Sequence, residues 1–343
     1  MPLPRVTVLI DRQAYVELEG VGMSRSTAYR SSIHSFPVPR PPFMVSEPFL
    51  QPNGDVILHS ADSHKFYVVK AILIIASPFF RSLFSLPQPE DQSDVPTISV
   101  SEDSRTLDIL LRLCYPVKNP VVEDLSLAET VLAAALKYEM EIVVQGMCRV
   151  LVSEKALGTQ PLRVYAIACQ HKLAEETRLA AIATLRTPIE DVYVEELEAL
   201  SAAHYFNLLK FHRRVKAEIL FVLRKASNTV HEFYEYKVEP TRAEPTKEVQ
   251  SILYRCSDRH SDCRFGGGAN WWKYFVQNQV IPAVYHAPLR LELLEYPIGS
   301  WTRDKWSCAT CQTIINEQWQ HAIDSLRSLF NKIASEVAGQ MKF

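Results

Sequence analysis

The stretch that decides the fold runs from Asp55 to Phe84 and reads DVILHSADSHKFYVVKAILIIASPFFRSLF. Short runs rich in β-branched and aromatic residues occupy 55–59 and 65–69, with a polar turn between them. Two such runs around a turn predict two strands joined as a hairpin. Ser77 then precedes Pro78, and serine is a favoured N-cap while proline is favoured at the first helical position. The stretch therefore predicts a hairpin followed by two short helices.

The residues that follow continue the pattern of a mixed domain. Residues 97–100 alternate as a short strand. Apolar side chains then recur at Leu107, Leu110, Leu111 and Cys114, which is the spacing of one helix face. Further helical patterns run to Leu151, so the sequence predicts a sheet followed by several helices.

The hairpin, the run KAILIIASPFFRSLF at 70–84 and the strand after it resemble a BTB/POZ domain. The whole chain is similar to the BTB proteins that fungi carry in large numbers. The resemblance implies an α+β fold in which helices cap a short sheet. It departs from the family at Val69, where a His is usual, and over residues 86–91, which lack the hydrophobic-x-Glu pattern typical of members that recruit cullins.

Composition changes along the chain divide it into five predicted parts. The proline-rich start predicts a poorly ordered tail, and Pro240 and Pro245 in a polar stretch predict a linker. The predicted parts are the tail at 1–48, the BTB/POZ domain at 49–155, an all-helical extension at 156–226, the linker at 227–250 and a small, mostly helical unit rich in Cys and Trp at 251–343.

Bulk properties indicate an ordinary intracellular protein. The formal net charge is −2, which gives no case for binding nucleic acid or an anionic membrane. No apolar run reaches the ~20 residues that span a bilayer. Without a secretory signal, the 7 cysteines are expected to stay reduced, in the cytoplasm or the nucleus.

Cysteines near the end of the sequence predict a metal site. His260 and Cys263 form one short-spaced pair, and Cys308 and Cys311 form another, with Cys256 as an alternative ligand to His260. Two such pairs can hold one structural zinc ion tetrahedrally. Reduced cysteines packed without metal are the main alternative and a disulfide is a further one; no other cofactor is expected.

The resemblance also implies which residues bury an interface. BTB domains form homodimers through apolar helix faces, so the predicted contacts lie before the hairpin and on the two helices after it. The alternative is that these side chains line the core of the monomer. The predicted interface residues are Phe43, Ile72, Leu73, Ile75, Phe79 and Phe80.

No catalytic signature accompanies these features. The sequence lacks a P-loop, a Gly-x-Ser-x-Gly elbow and a His-Glu-x-x-His motif. We therefore expect a non-enzymatic protein that self-associates as a homodimer and scaffolds protein partners. The alternatives are a substrate adaptor of a cullin-type ubiquitin ligase and a BTB-type transcription regulator.

Overall fold

The computed structural model describes residues 43–51, 54–86, 95–227, 275–290 and 309–343. Residues 1–42 and the predicted linker from 228 onward lie outside these ranges. No helix within the described ranges has the length and the hydropathy needed to cross a membrane.

The strands of the described residues form one small mixed sheet. Strand β1 (Val56–His59) pairs antiparallel with β2 (Lys65–Val68) and parallel with β3 (Thr97–Ser99), so β1 lies in the centre. Val56 lies opposite Val68, and Leu58 lies opposite Phe66, with all four side chains buried. The predicted hairpin is therefore confirmed, and each strand is about a residue shorter than its pattern.

Gly54 stands where the chain enters the sheet and comes very close to β2. A Cβ atom at this position would lie 2.3 Å from the Val68 nitrogen, which no side chain can do without moving the backbone. Only glycine permits this approach.

Helices cover the sheet and complete an α+β core, as the resemblance implies. The polar caps Asp103 and Asp124 each accept a hydrogen bond from a backbone N–H in the first turn of the helix that follows them. The helices of this core are α1 (Lys70–Ala76), α2 (Pro78–Ser85), α3 (Ser104–Cys114), α4 (Leu125–Lys137) and α5 (Glu141–Leu151).

The predicted extension is helical and continues directly from the core. It includes a short 3₁₀ helix (Glu195–Glu198). The α-helices are α6 (Glu154–Thr159), α7 (Pro161–Gln170), α8 (Ala174–Thr184) and α9 (Ala202–Ser227).

Arg163 on α7 connects the extension to the core. Its Nη2 donates to the Ser126 hydroxyl on α4 at 2.6 Å, and its Nε donates to the Glu196 carboxylate on the 3₁₀ helix. The Arg163 and Glu196 side chains are both largely buried, which reduces the screening of their charges by water. One guanidinium group thus ties three elements together.

The described end of the chain packs on the extension. A π-helical turn (Val276–Val280) leads into α10 (Ile281–His286), which packs on α9, and α11 (Ala309–Gly339) packs along α8 and α9. Buried residues from Phe275 to Ala338 belong to the same apolar cluster as the extension. The sequence predicted a unit of its own here, whereas these described parts share the core of the extension.

Phe343 also takes part in this packing. Its ring meets Phe211 edge-on at 5.4 Å between centroids and Tyr165 at 6.1 Å. Next to it, the Asn207 amide donates to the Lys342 carbonyl at 3.2 Å. The last residues of the sequence are therefore held by α7 and α9.

Candidate protein-interaction surface

Helix α1, which carries half of the predicted interface residues, begins without a side-chain cap from its own N-cap residue, Val69. Two distant groups take over that role. The Asp55 carboxylate accepts from the Lys70 N–H at 2.6 Å, and the Tyr115 hydroxyl oxygen accepts from the Val69 N–H at 2.7 Å. These bonds satisfy donors that every helix start leaves open. The absence of the usual His at position 69 therefore does not leave the helix start unsatisfied.

Ser77 forms the junction between α1 and α2. Its hydroxyl oxygen accepts from the Phe80 N–H at 3.0 Å, as the Ser-Pro start predicts, and the hydroxyl donates to the Tyr138 carbonyl. Ser77 is fully buried. The junction fixes the direction of both helices, and with it the side of α1 that faces solvent.

An apolar groove of about 550 Å³ lies between the end of α1 and the start of α5. Ile75 is 79% exposed on one side of it, and Ile142 is 58% exposed on the other. At its rim, the Gln145 amide donates to the Glu141 carboxylate at 3.0 Å. The residues lining the groove are Ile72, Ile75, Ala76, Cys114, Glu141, Ile142 and Gln145.

The structure divides the predicted interface residues into two groups. Leu73 and Phe80 are buried in the core of the monomer, with Phe80 stacked on Tyr138 at 5.2 Å. Phe43 is half-buried against Phe66, at 6.2 Å between ring centroids. These three side chains stabilise the monomer itself.

The remaining predicted residues reach the surface. Ile75 is mostly exposed, Ile72 is half-buried beside it, and Phe79 is 38% exposed on α2. Ile142 was missed by the sequence reasoning. Its place at the start of α5 could have indicated it, since the neighbouring Val143 is buried and Ile142 points away from the core.

The family comparison agrees with this architecture. Residues 49–155, roughly a third of the chain, match the family model of the BTB/POZ domain. These residues are a BTB/POZ domain. No curated protein matches the chain. Since a BTB domain is a module for protein–protein interaction, the groove between α1 and α5 lies on a domain that works by contact.

The described cysteines of the BTB domain and the extension are poor nucleophiles. Burial raises the pKa of the Cys114 thiol to about 11. Burial, together with the neighbouring Glu176 carboxylate, raises the pKa of Cys148 to about 12, and burial also raises the pKa of Cys169. A raised pKa leaves little thiolate at neutral pH, and the thiolate is the reactive form. These three residues behave as small apolar side chains.

Most of the predicted zinc ligands lie outside the described residues. His260, Cys263 and Cys308 lie there, as does the alternative ligand Cys256, whereas Cys311 lies in the first turn of α11. Within the described parts of the chain, no group of three or more His, Cys, Asp or Glu side chains is placed to hold a metal ion. The zinc site remains a prediction from the sequence.

Proposed function

We propose that the chain is a non-enzymatic scaffold that self-associates through its BTB domain and presents the helical extension to protein partners. The observation that carries this proposal is the pair Ile75 and Ile142, two large aliphatic side chains left in water on either side of one apolar groove. Exposed apolar patches of this kind mark interaction sites. A cytoplasmic or nuclear location belongs to the same proposal and rests on the sequence alone.

A second copy of the chain is the occupant that we propose for the groove. Symmetric dimers bury the same patch of both subunits, so each apolar side chain of the patch contributes to the interface once from each subunit. At the rim, the hydrogen bond from the Gln145 amide gives the Glu141 carboxylate one partner inside the chain. Homodimerisation through helix faces is also what the BTB resemblance implies. The proposal stops at self-association and partner binding, since no observation on the described residues favours a cullin adaptor or a transcription regulator.

Sedimentation velocity on the full chain tests this proposal. We expect a dimer at micromolar concentration and a shift to monomer for Ile75→Asp and for Ile142→Asp. Burying an isoleucine side chain is worth about 2 kcal/mol, and symmetry doubles the loss to about 4 kcal/mol, so each variant weakens the dimer about a thousandfold.

Val192→Asp is the matched control. Val192 is 41% exposed and lies in the extension, outside the BTB domain, so this variant should sediment as the unchanged protein does. A wild-type chain that is monomeric throughout the concentration range contradicts the proposal, and so does a dimer that both Asp variants leave intact.

A further inference from the structure

A second cleft lies in the helical extension. It has a volume of about 840 Å³ and is formed by the end of α7, the start of α8, the entry to α9 and the residues after α11. This volume falls within the range of about 300–1,000 Å³ that is typical of ligand sites. All of its lining residues are described, and none belongs to the BTB domain.

The floor of the cleft is apolar. Ala338 is buried there, and Met341 and Phe343 are half-buried. Phe343 is held by its ring contacts to Phe211 and Tyr165, so this part of the floor is fixed before any ligand binds. A fixed apolar floor lowers the ordering cost of binding.

The walls carry an excess of positive charge. Among the lining residues the charged side chains are Lys172, Arg178, Lys342 and Glu175, three cations against one carboxylate. Glu175 already pairs with Arg178 at 2.7 Å. Lys172 and Lys342 are both exposed and have no ion-pair partner in the described parts of the chain.

Two polar groups at the cleft are ordered as well. The Ser201 hydroxyl oxygen accepts from the His204 N–H at 3.3 Å, and the same oxygen lies 2.7 Å from Nδ1 of the His204 ring.

Lys172 adopts a φ of 57°, a conformation that glycine or asparagine takes at lower cost. A lysine side chain therefore stands at the mouth of the cleft despite an unfavourable backbone angle.

From this arrangement we propose that the cleft binds an acidic linear peptide segment of a partner protein. An apolar side chain of the peptide lies on the floor, and flanking Asp or Glu carboxylates pair with Lys172 and Lys342. Opposite charges on the two partners speed association and select against basic sequences. The site is separate from the groove at Ile75 and Ile142, so it does not depend on self-association.

Selection of random short peptides displayed on phage against the full chain tests the proposal. We expect the enriched peptides to carry acidic residues around an apolar one. The selected peptides, synthesised with a fluorescent label, should bind the full chain in anisotropy titrations, and rising salt should weaken binding because it screens the charges.

Two variants locate the binding in the cleft. Lys172→Glu combined with Lys342→Glu should weaken the selected peptides at least about tenfold, since attraction becomes repulsion at two positions. Ala199→Phe places a ring into the cleft from an exposed position of its wall and should also weaken them about tenfold. Both changes are at exposed residues, and an unchanged urea midpoint shows that the fold is intact.

Lys65→Glu combined with Lys118→Glu is the control, because both lysines are exposed on the BTB domain and the change in charge is the same. This variant should bind the peptides as the unchanged chain does. Enriched peptides without an excess of acidic residues overturn the proposal. Equal binding to the cleft variants, or equal loss in the control, overturns it too.

Discussion

The BTB domain and the helical extension differ in how far apart in the sequence their contacting residues lie. In the BTB domain, the Asp62 carboxylate in the hairpin turn accepts from the Ser60 hydroxyl at 2.6 Å and from the Ser104 N–H and hydroxyl at 2.9 and 2.6 Å. All of these partners lie within residues 43–155. The extension reaches much farther, since Asn207 on α9 bonds to Lys342, 135 positions away.

The two regions also differ in the ionisable side chain that each one holds in place. Burial raises the pKa of Asp62, but the hydrogen bonds from Ser104 and Ser60 outweigh it and lower the pKa to about 2. The extension buries a neutral ring instead. His212 lies 2.8 Å from the Thr184 hydroxyl oxygen, whose own proton goes to the Ala181 carbonyl, so Nε2–H of the ring is the donor. The comparison sets hydrogen bonds made within the BTB domain against an extension that uses contacts to the last residues of the sequence and a neutral buried histidine.

Removing the Phe211 side chain should have the largest effect. Phe211 is fully buried and contacts Phe343, so Phe211→Ala should lower the free energy of unfolding of the extension by about 3–5 kcal/mol. All 5 tryptophans follow residue 270, so urea unfolding followed by Trp fluorescence reports on the C-terminal part. We expect that transition to move to lower urea concentration.

The control for this change is Phe206→Ala on the same helix. Phe206 is mostly exposed, and its loss should leave the transition nearly in place. If Phe211→Ala leaves the Trp transition unmoved, the dependence of the extension on the end of the chain is refuted.

Ser77→Ala tests the BTB domain, which is the other region in the comparison. The change removes the cap of α2 and leaves the buried Tyr138 carbonyl without this donor, which should cost about 2–3 kcal/mol in the BTB domain. Hydrogen exchange of peptides from residues 49–155 measures this loss. Ser85→Ala, at an exposed position, is the control. A Trp transition that moves as far as the BTB protection would show that the two regions unfold as one.

Acid should weaken the extension through His212. Burial, reinforced by the positive charge of Lys216, lowers the pKa of His212 to about 3. The unfolded chain binds a proton near pH 6.5 and the folded chain does not, so stability is complete above pH 6.5 and falls as the pH drops towards 3. At pH 5 the loss is about 2 kcal/mol.

Urea unfolding of the unchanged chain and of His212→Gln at pH 7 and pH 5 measures this loss. Glutamine retains a donor for Thr184 and does not titrate, so the variant should lose less stability between the two pH values. His171, whose pKa burial also lowers, remains in both proteins and cancels from the difference. Equal losses in the two proteins would show that His212 does not carry the pH dependence.

Local features of the fold could be predicted from the sequence because they depend on near neighbours. Ser77 and Pro78 specify the start of α2, and the apolar spacing from Leu107 specifies α3. The role of Asp55 as a cap for α1 could not be found in this way, since it bonds to Lys70 across the hairpin. The contact of Phe343 with Tyr165 could not be predicted either, because a contact between residues so far apart in the sequence produces no periodic pattern in it.

The candidate surface was predictable only in part. Periodicity places apolar residues on α1, but it does not say which of them face a partner and which face the core. The direction of the helix decides this: Leu73 is buried and Ile75 is exposed two residues later. The cleft at Lys172 and Lys342 joins segments 170 positions apart, so nothing in either segment alone indicates it.

The position of Phe343 sets an order of events during synthesis. Domains fold as units while the chain emerges from the ribosome, at roughly 5–20 residues per second. The BTB domain has every residue of its core once position 155 has emerged. The aromatic cluster around Phe211 must wait for Phe343, on the order of ten seconds after α9 has been made. Until α11 and Phe343 have been made, the surfaces of α8 and α9 that they cover are exposed on the nascent chain, and a chaperone or a second copy can reach them during this interval.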